Sequence, residues 1–253
     1  MKDIIGLSDP SRPRIFQIGM NRCGTMSLHY FLEANGFCSG HHDDTRSRYT
    51  LAQLIERARV EGKPLLHYMP HYDALTDMDF LFSPTPLRAY RYFAELDRQY
   101  PGSRFILNTR DEEDWIRSRK GYRGGFFITG WRMSFDFLYN QIHGLEETTT
   151  EEAREARWFA MREQQFSSVL SGFASGGAAG SDRTHRTTEE IVALWRAERA
   201  QQHAEVTEWF ADRPDDLLVF DIERDDPARL AAFLGLEGEL VGWGQHNRGV
   251  DNR

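Results

Sequence analysis

The segment Gly19-Met20-Asn21-Arg22-Cys23-Gly24-Thr25-Met26-Ser27 constrains this chain more than any other. Before it, Ile15, Phe16 and Ile18 form a short apolar run of the kind a buried parallel strand shows. After it, Leu28, Phe31 and Leu32 recur at helical spacing until Asn35-Gly36 supplies a C-terminal stop. A strand that passes through a tight, glycine-bounded loop into a helix aims successive backbone N–H groups at one anion. The positive end of the helix dipole adds to that field. The hydroxyls of Thr25 and Ser27 can contribute further donors.

The spacing from Gly19 to Gly24 matches the nucleotide-binding loop G-x-x-x-x-G-K-[ST], but Thr25 stands where that loop requires lysine. The cation is inside the loop, at Arg22. Without that lysine or an evident acidic magnesium ligand, hydrolysis of ATP or GTP is a poor fit. An ordinary strand-to-helix turn is the plain alternative.

The rest of the chain alternates in the same way. A helix is expected over Thr50 to Glu61, a strand over Pro64 to Met69, and an amphipathic stretch over Pro86 to Tyr100. A strand follows at Arg104 to Thr109, then Arg110 and a helix from Asp111 to Ser118. Residues 119–145 break the rhythm with glycines among aromatics, residues 146–171 have a helical pattern, and residues 171–188 are expected to form a mobile surface loop. A long helix from Thr188 to Ala211, a strand at Leu217 to Asp221 and a helix from Asp226 to Leu234 complete the pattern. Strands alternating with helices predict an α/β fold, a parallel sheet flanked by helices in a three-layer sandwich like that of the P-loop NTPases. At 253 residues the chain suits a single domain spanning 1–253.

Composition narrows the partners. A net charge of −8 argues against a nucleic-acid or anionic-membrane surface. Of 31 Lys and Arg, only Lys2, Lys63 and Lys120 are lysines, and arginine is the side chain suited to fork-like binding of phosphate and sulfate. Codon bias explains that excess equally well. Two cysteines, Cys23 and Cys38, make neither a disulfide framework nor a multi-cysteine zinc site. No apolar run approaches the ~18 residues of a transmembrane helix, and the first residues lack a signal-peptide core, so a cytoplasmic setting is expected.

A second constellation lies at Phe105-Ile-Leu-Asn-Thr-Arg-Asp-Glu-Glu-Asp-Trp-Ile-Arg-Ser118. An arginine at the carboxyl end of a parallel strand points into the crevice where open α/β sheets bind ligands. Ser118, a little over two turns into the next helix, could present its hydroxyl to the same crevice. Alone, Arg110 would more often be an ion-pair partner of Asp111 or Glu113.

Together the two segments resemble the PAPS-dependent sulfotransferases, PAPS being 3′-phosphoadenosine 5′-phosphosulfate. Ile18 to Leu28 is similar to that family's 5′-phosphosulfate-binding loop. The strand-end Arg110 and Ser118, eight residues on, keep the spacing of its 3′-phosphate pair. Trp115, the stretch Asp216 to Asp221 and Phe233-Leu-Gly-Leu236 match the bacterial branch. The resemblance implies that Asn21, Arg22, Cys23, Gly24, Thr25, Met26 and Ser27 hold the 5′ side of the cofactor, and Arg110 and Ser118 its 3′-phosphate. It further implies transfer of a sulfuryl group to a hydroxyl or amine of a small-molecule, lipid or glycan acceptor, with release of PAP and no metal. Cys23 and Met26 depart from the hydroxyl residues usual at their positions, which shifts phosphate contacts toward backbone N–H groups.

Arg22, permanently charged, can stabilise the leaving group but cannot act as a general acid, and the acceptor needs a base. The resemblance favours His67, at the end of the strand expected over Leu65 to Pro70, although a histidine satisfied by strand-end hydrogen bonds fits as well. Asp73 and Asp77 follow as carboxylate candidates, with Asp77 carried as catalytic beside Arg22 and His67, and His71 comes third. His41 and His42, after a possible strand at Phe37-Cys-Ser, could with Asp43 and Asp44 suggest a metal, but adjacent histidines seldom share one ion and a solvated loop is expected.

Family members carry a late loop over the cofactor, which here makes His246, Asn247 and above all Arg248 candidates for the 3′-phosphate; a polar tail is the alternative. His203 and Trp209-Phe210 lie on a helix that passes the adenine in relatives, or simply pack it. The aromatics Phe126, Phe127, Trp131, Phe135 and Phe137 suit an apolar acceptor pocket or a helix core. The rival functions are a P-loop small-molecule kinase and a catalytically inactive PAP-binding protein.

Overall fold

In the computed structural model, which describes residues 12–44, 46–47, 49–80, 87–122, 127, 187–237 and 241–244, the first apolar run forms β1 (Ile15–Gln17). The chain then passes through the glycine loop into α1 (Thr25–Ala34), which ends at Asn35 and at Gly36 with φ +82°. β2 (Ser39–His41) starts two residues later than the expected Phe37, so His41 belongs to a strand and not to a solvated loop. α2 (Leu51–Val60) is set by a capping box: Thr50 Oγ1 accepts from the Gln53 N–H at 3.2 Å and Gln53 Oε1 from the Thr50 N–H at 3.0 Å.

The strand expected over Pro64 to Met69 is a turn. The His67 N–H donates to the Pro64 carbonyl at 2.8 Å and the Met69 N–H to the Leu66 carbonyl at 3.0 Å. Leu65 and Leu66 are buried, but their N–H groups are taken by Gln99 Oε1 and the Tyr100 hydroxyl, which replace a strand ladder. The strand of this region is β3 (Ala74–Thr76), too short and too closely flanked by polar residues to stand out in the sequence. Two brief strands, β4 (Asp79–Phe80) and β5 (Leu87–Arg88), follow. The helix expected from Pro86 is shorter: a 3-10 turn at Ala89–Tyr92 leads into α3 (Phe93–Gln99). β6 (Arg104–Thr109), α4 (Glu112–Gly121), α5 (Thr188–Trp209), β7 (Leu217–Asp221) and α6 (Pro227–Leu234) complete the described elements. Asp226 caps α6 through the Ala228 N–H at 2.8 Å.

Five strands form one parallel sheet in the order β2-β3-β1-β6-β7. Period-two alternation divides their side chains between the faces. Ile15, Ile106, Leu218 and Phe220 meet Leu28, Phe31 and Leu32 of α1 and Leu230 and Ala231 of α6. On the other face the Phe16 and Phe105 rings lie 5.4 Å apart, with Phe210 at 4.8 Å from Phe105 and Tyr100 at 6.1 Å from Phe16. The result is the expected α/β arrangement of a parallel sheet between helices. Each buried aromatic there contributes about 1.5–3 kcal/mol.

The chain leaves β1 toward β2 on one side and reaches β6 on the other. This reversal creates a topological switch point at the carboxyl end of β1, where such sheets bind ligands. Two compact units are distinguished: residues 1–79, 88–118 and 196–253, which hold this sheet, and residues 80–87 and 119–195. Within the second unit the Arg119 guanidinium lies over the Trp195 ring at 4.4 Å and the Phe127 ring at 5.1 Å, and Tyr122 stacks on Phe127 at 5.2 Å. The expected helix over 146–171, the loop over 171–186 and the aromatics Phe126, Trp131, Phe135 and Phe137 lie outside the described residues. Among the described residues, no helix is long and apolar enough to cross a membrane.

Candidate functional site

The loop begins at Gly19, where a Cβ would lie 2.2 Å from both the carbonyl oxygen and Oδ1 of Asn108. No other residue fits that contact without moving β6. The loop ends at Gly24, with φ +75°, against the Ile222 side chain. Between them Arg22 also has a positive φ, +63°, which is uncommon for a side-chain-bearing residue.

Three successive loop carbonyls are each held by a side chain from the β6–α4 segment. Trp115 Nε1 donates to the Asn21 carbonyl at 3.1 Å, Arg110 Nη1 to that of Arg22 at 3.3 Å, and Asn108 Nδ2 to that of Cys23 at 2.5 Å. In a planar trans peptide the N–H points opposite to its C=O. Anchoring these carbonyls therefore turns the N–H groups of Arg22, Cys23 and Gly24 away from the anchors. At the start of α1, Gly24 brings no capping side chain and the first turn holds no acidic residue, so the positive helix end is not offset locally. Thr25 and Ser27 are buried there, and Met26 is half-buried.

Arg22 Nε donates to Ser118 Oγ at 3.0 Å, bringing together two residues far apart in the chain. Arg110 is pinned differently from its expected ion pairs: Nη2 donates to Glu223, beyond β7, while its Nε is buried without a hydrogen-bond partner. Arg199 of α5 joins it at the end of β6, donating to Thr109 Oγ1 at 2.9 Å and to the Arg110 carbonyl at 2.5 Å, over the Trp115 ring at 5.4 Å. Nothing in the sequence singled out Arg199 from Arg196, the other arginine of its helix.

On the other side of β1, Asp77 follows directly on β3 with φ +55°. Its Oδ2 lies 3.7 Å from His41 Nε2 and 3.9 Å from His42 Nδ1. Burial pushes the Asp77 carboxyl up to about 6; a hydrogen bond with Asp79 and the Arg22 charge pull it down, while Asp43 pushes it up. Asn21 Nδ2 donates to Asp79 Oδ2 at 2.9 Å, which links the carboxyl pair to the loop. His41, with Nδ1 at 2.9 Å from Thr76 Oγ1, is pushed down to about 3 by burial and by the neighbouring His29 and His42, so it is neutral at pH 7. Among the described residues, His42, Asp77 and Asp79 offer ligand atoms within 4.8 Å of one another, as a cation would require. A hydrogen bond between the carboxyls already needs a proton there, and Arg22 already supplies positive charge. The arrangement suits holding a proton.

Among the remaining candidates, His67 and Asp73 are not brought to this place. His67 is exposed in the turn over residues 65–68, and the strand end expected to present it does not form. Leu65 and Leu66 bond to Gln99 and Tyr100, just before β6 begins, and Arg14, just before β1, donates to the Pro70 carbonyl at 3.1 Å. His67 is therefore at the amino ends of the strands, opposite Arg22. Asp73 Oδ2 accepts the Cys38 N–H at 2.8 Å, also at that end. His71 lies 3.6 Å from Asp44, with burial lowering its proton affinity. On α5, burial and Arg199 push His203 down to about 4, while the Trp209 indole N–H donates to Asp97 at 2.9 Å and Phe210 packs on Phe105. Arg248, His246 and Asn247 lie outside the described residues.

Sequence reasoning missed Gln17 and Asn108, whose amides meet beneath the loop. The available signal was a polar residue near the end of each of two otherwise apolar strands. A family model described as a sulfotransferase domain matches residues 14–238. A search of curated proteins returns no match.

Proposed function

The chain belongs to the sulfotransferase-domain family, and we propose that it moves a sulfuryl group from PAPS to a hydroxyl or amine of a small-molecule, lipid or glycan acceptor, releasing PAP. The observation that carries this reading is the anchored loop, whose carbonyls are held by Trp115, Arg110 and Asn108 while Arg22 rests on Ser118. Such a loop offers N–H groups and a guanidinium to one anion. The family match runs through both compact units, which supports reading the whole chain as one sulfotransferase-like domain.

In the proposed reaction the N–H groups of residues 22–24, with Thr25 and Ser27, bind the 5′-phosphosulfate. Arg110 and Ser118 bind the 3′-phosphate, with Arg199 alongside and Arg248 as a further candidate. Asp77, rather than His67, takes the acceptor's proton, because it lies within the field of Arg22 and holds a proton affinity near working pH. The acceptor oxygen or nitrogen forms its bond to sulfur as the bond from sulfur to the bridging phosphate oxygen breaks. Arg22 stabilises the negative charge left on PAP, so the step needs no metal. We read the enzyme as cytoplasmic.

The test is ligand-dependent melting followed by transfer. PAP without magnesium should raise Tm, and labelled PAPS should sulfate at least one member of an acceptor panel. Stabilisation by ATP with magnesium but not by PAP would replace this reading with a kinase. PAP binding without transfer to any acceptor would leave an inactive PAP-binding protein.

A further inference from the structure

Gln17 is completely buried and Asn108 is 2% exposed, on the neighbouring central strands β1 and β6. An amide in such a place costs stability unless its polar atoms are matched. Here the matches run in one direction. The Asp77 N–H donates to Gln17 Oε1 at 2.7 Å, which leaves Gln17 Nε2 on the other side. That nitrogen has two hydrogens and two acceptors: the Gly19 carbonyl and Asn108 Oδ1, each at 2.5 Å. Because Asn108 Oδ1 is the acceptor, its Nδ2 must be the donor to the Cys23 carbonyl. Both amide orientations are thus dictated by their partners. A continuous path leads from the backbone of Asp77, through two side chains, to both ends of the anion loop.

Leucine or valine would satisfy the strand pattern at either position more cheaply. What the amides add is a fixed relation beyond the last ladder pair, Phe16 with Leu75, between the loop after β1 and the segment after β3, which holds Asp77 in a left-handed conformation that needs support. We infer that Gln17 and Asn108 are positioning residues that lock the anion loop and the Asp77 carboxyl into one geometry for transfer. This inference rests on the sulfuryl-transfer reading above. A misplacement of about 1 Å between reacting groups costs on the order of 100-fold in rate, so the bridge affects the transfer rate more than it affects binding.

The experiment is a double-mutant cycle with full-length protein, reading slow release of labelled sulfate from PAPS with water as acceptor, alongside PAP affinity by calorimetry. Gln17→Met should lower sulfate release about 30-fold in the native background and less than about 3-fold in an Asp77→Asn background, with PAP affinity changed less than about 3-fold. Equal losses in both backgrounds, or a loss of PAP affinity matching the loss of rate, would show a merely structural role and overturn the inference. If Gln17→Met does not fold, Gln17→Glu enters the same cycle: it keeps an acceptor for the Asp77 N–H but loses the paired donors to Gly19 and Asn108. Failure of the native protein to bind PAP or release sulfate would remove the sulfuryl-transfer reading itself, and the inference with it.

Discussion

Asp77→Asn should make the protein more stable and less active, with a pH signature that identifies the cause. Burial holds the Asp77 carboxyl at about 6 against an ordinary 3.8. At about 1.4 kcal/mol per pH unit, keeping it ionised in the folded protein at pH 7 costs on the order of 3 kcal/mol. Between those two values the folded chain binds more protons than the unfolded one, so native stability falls as pH rises across the window. The variant does not titrate there, and its amide keeps an acceptor oxygen toward Asp79. Its advantage should be near zero around pH 4 and complete above about pH 7. For a chain of this size, 3 kcal/mol corresponds to roughly 6–12 °C in Tm. His41 also titrates in the acid range but does so in both proteins and cancels in the difference. Urea denaturation of both proteins at about pH 4.5 and 7.5, beside transfer assays, measures the effect. Transfer should fall at least about 100-fold. A variant no more stable than the native protein at pH 7.5, or equally stabilised at both pH values, would refute the reasoning.

For the native enzyme, kcat/KM should rise with pH through about 6 as Asp77 loses its proton, and a profile without that acid limb would argue against Asp77 as base. Arg22→Ala should reduce transfer by about 100-fold or more in single-turnover assays. Arg110→Ala should chiefly weaken PAP binding by calorimetry, since its guanidinium donates to the Arg22 carbonyl of the loop and to Glu223. Gly19→Ala should destabilise the fold by about 1–3 kcal/mol in chemical denaturation, because the new methyl group meets the Asn108 backbone and side chain at 2.2 Å.

Features carried by a few consecutive residues were legible. The turn from β1 through Gly24 into α1, the capping boundary at Thr50, the strand from Arg104 to Thr109 and the Asp226 cap all depend on local spacing, and the structure has them close to where the sequence places them. Pro64 to Met69 misled because apolar content reports burial, not hydrogen bonding. Leu65 and Leu66 are buried, but side chains from Gln99 and Tyr100 satisfy their N–H groups, so no strand is needed. The expectation of His67 as base rested on that strand. Ala74–Thr76, three residues closely flanked by polar ones, presents too little apolar pattern to be recognised, although Asp77 follows directly from it.

By itself, the sequence determined that a glycine-bounded loop would lead from a strand into a helix, and that an arginine and a serine eight residues apart would follow a later strand. Those relations are short-range and survive any packing. Only the tertiary structure decided which carboxyl stands beside Arg22, that Arg110 pairs with Glu223, and that Gln17 and Asn108 join the loop to Asp77. Each of these depends on the strand order β2-β3-β1-β6-β7, which sets side by side segments tens of residues apart. Sheet order follows from how helices bury their apolar faces across the whole chain, and no local spacing encodes it.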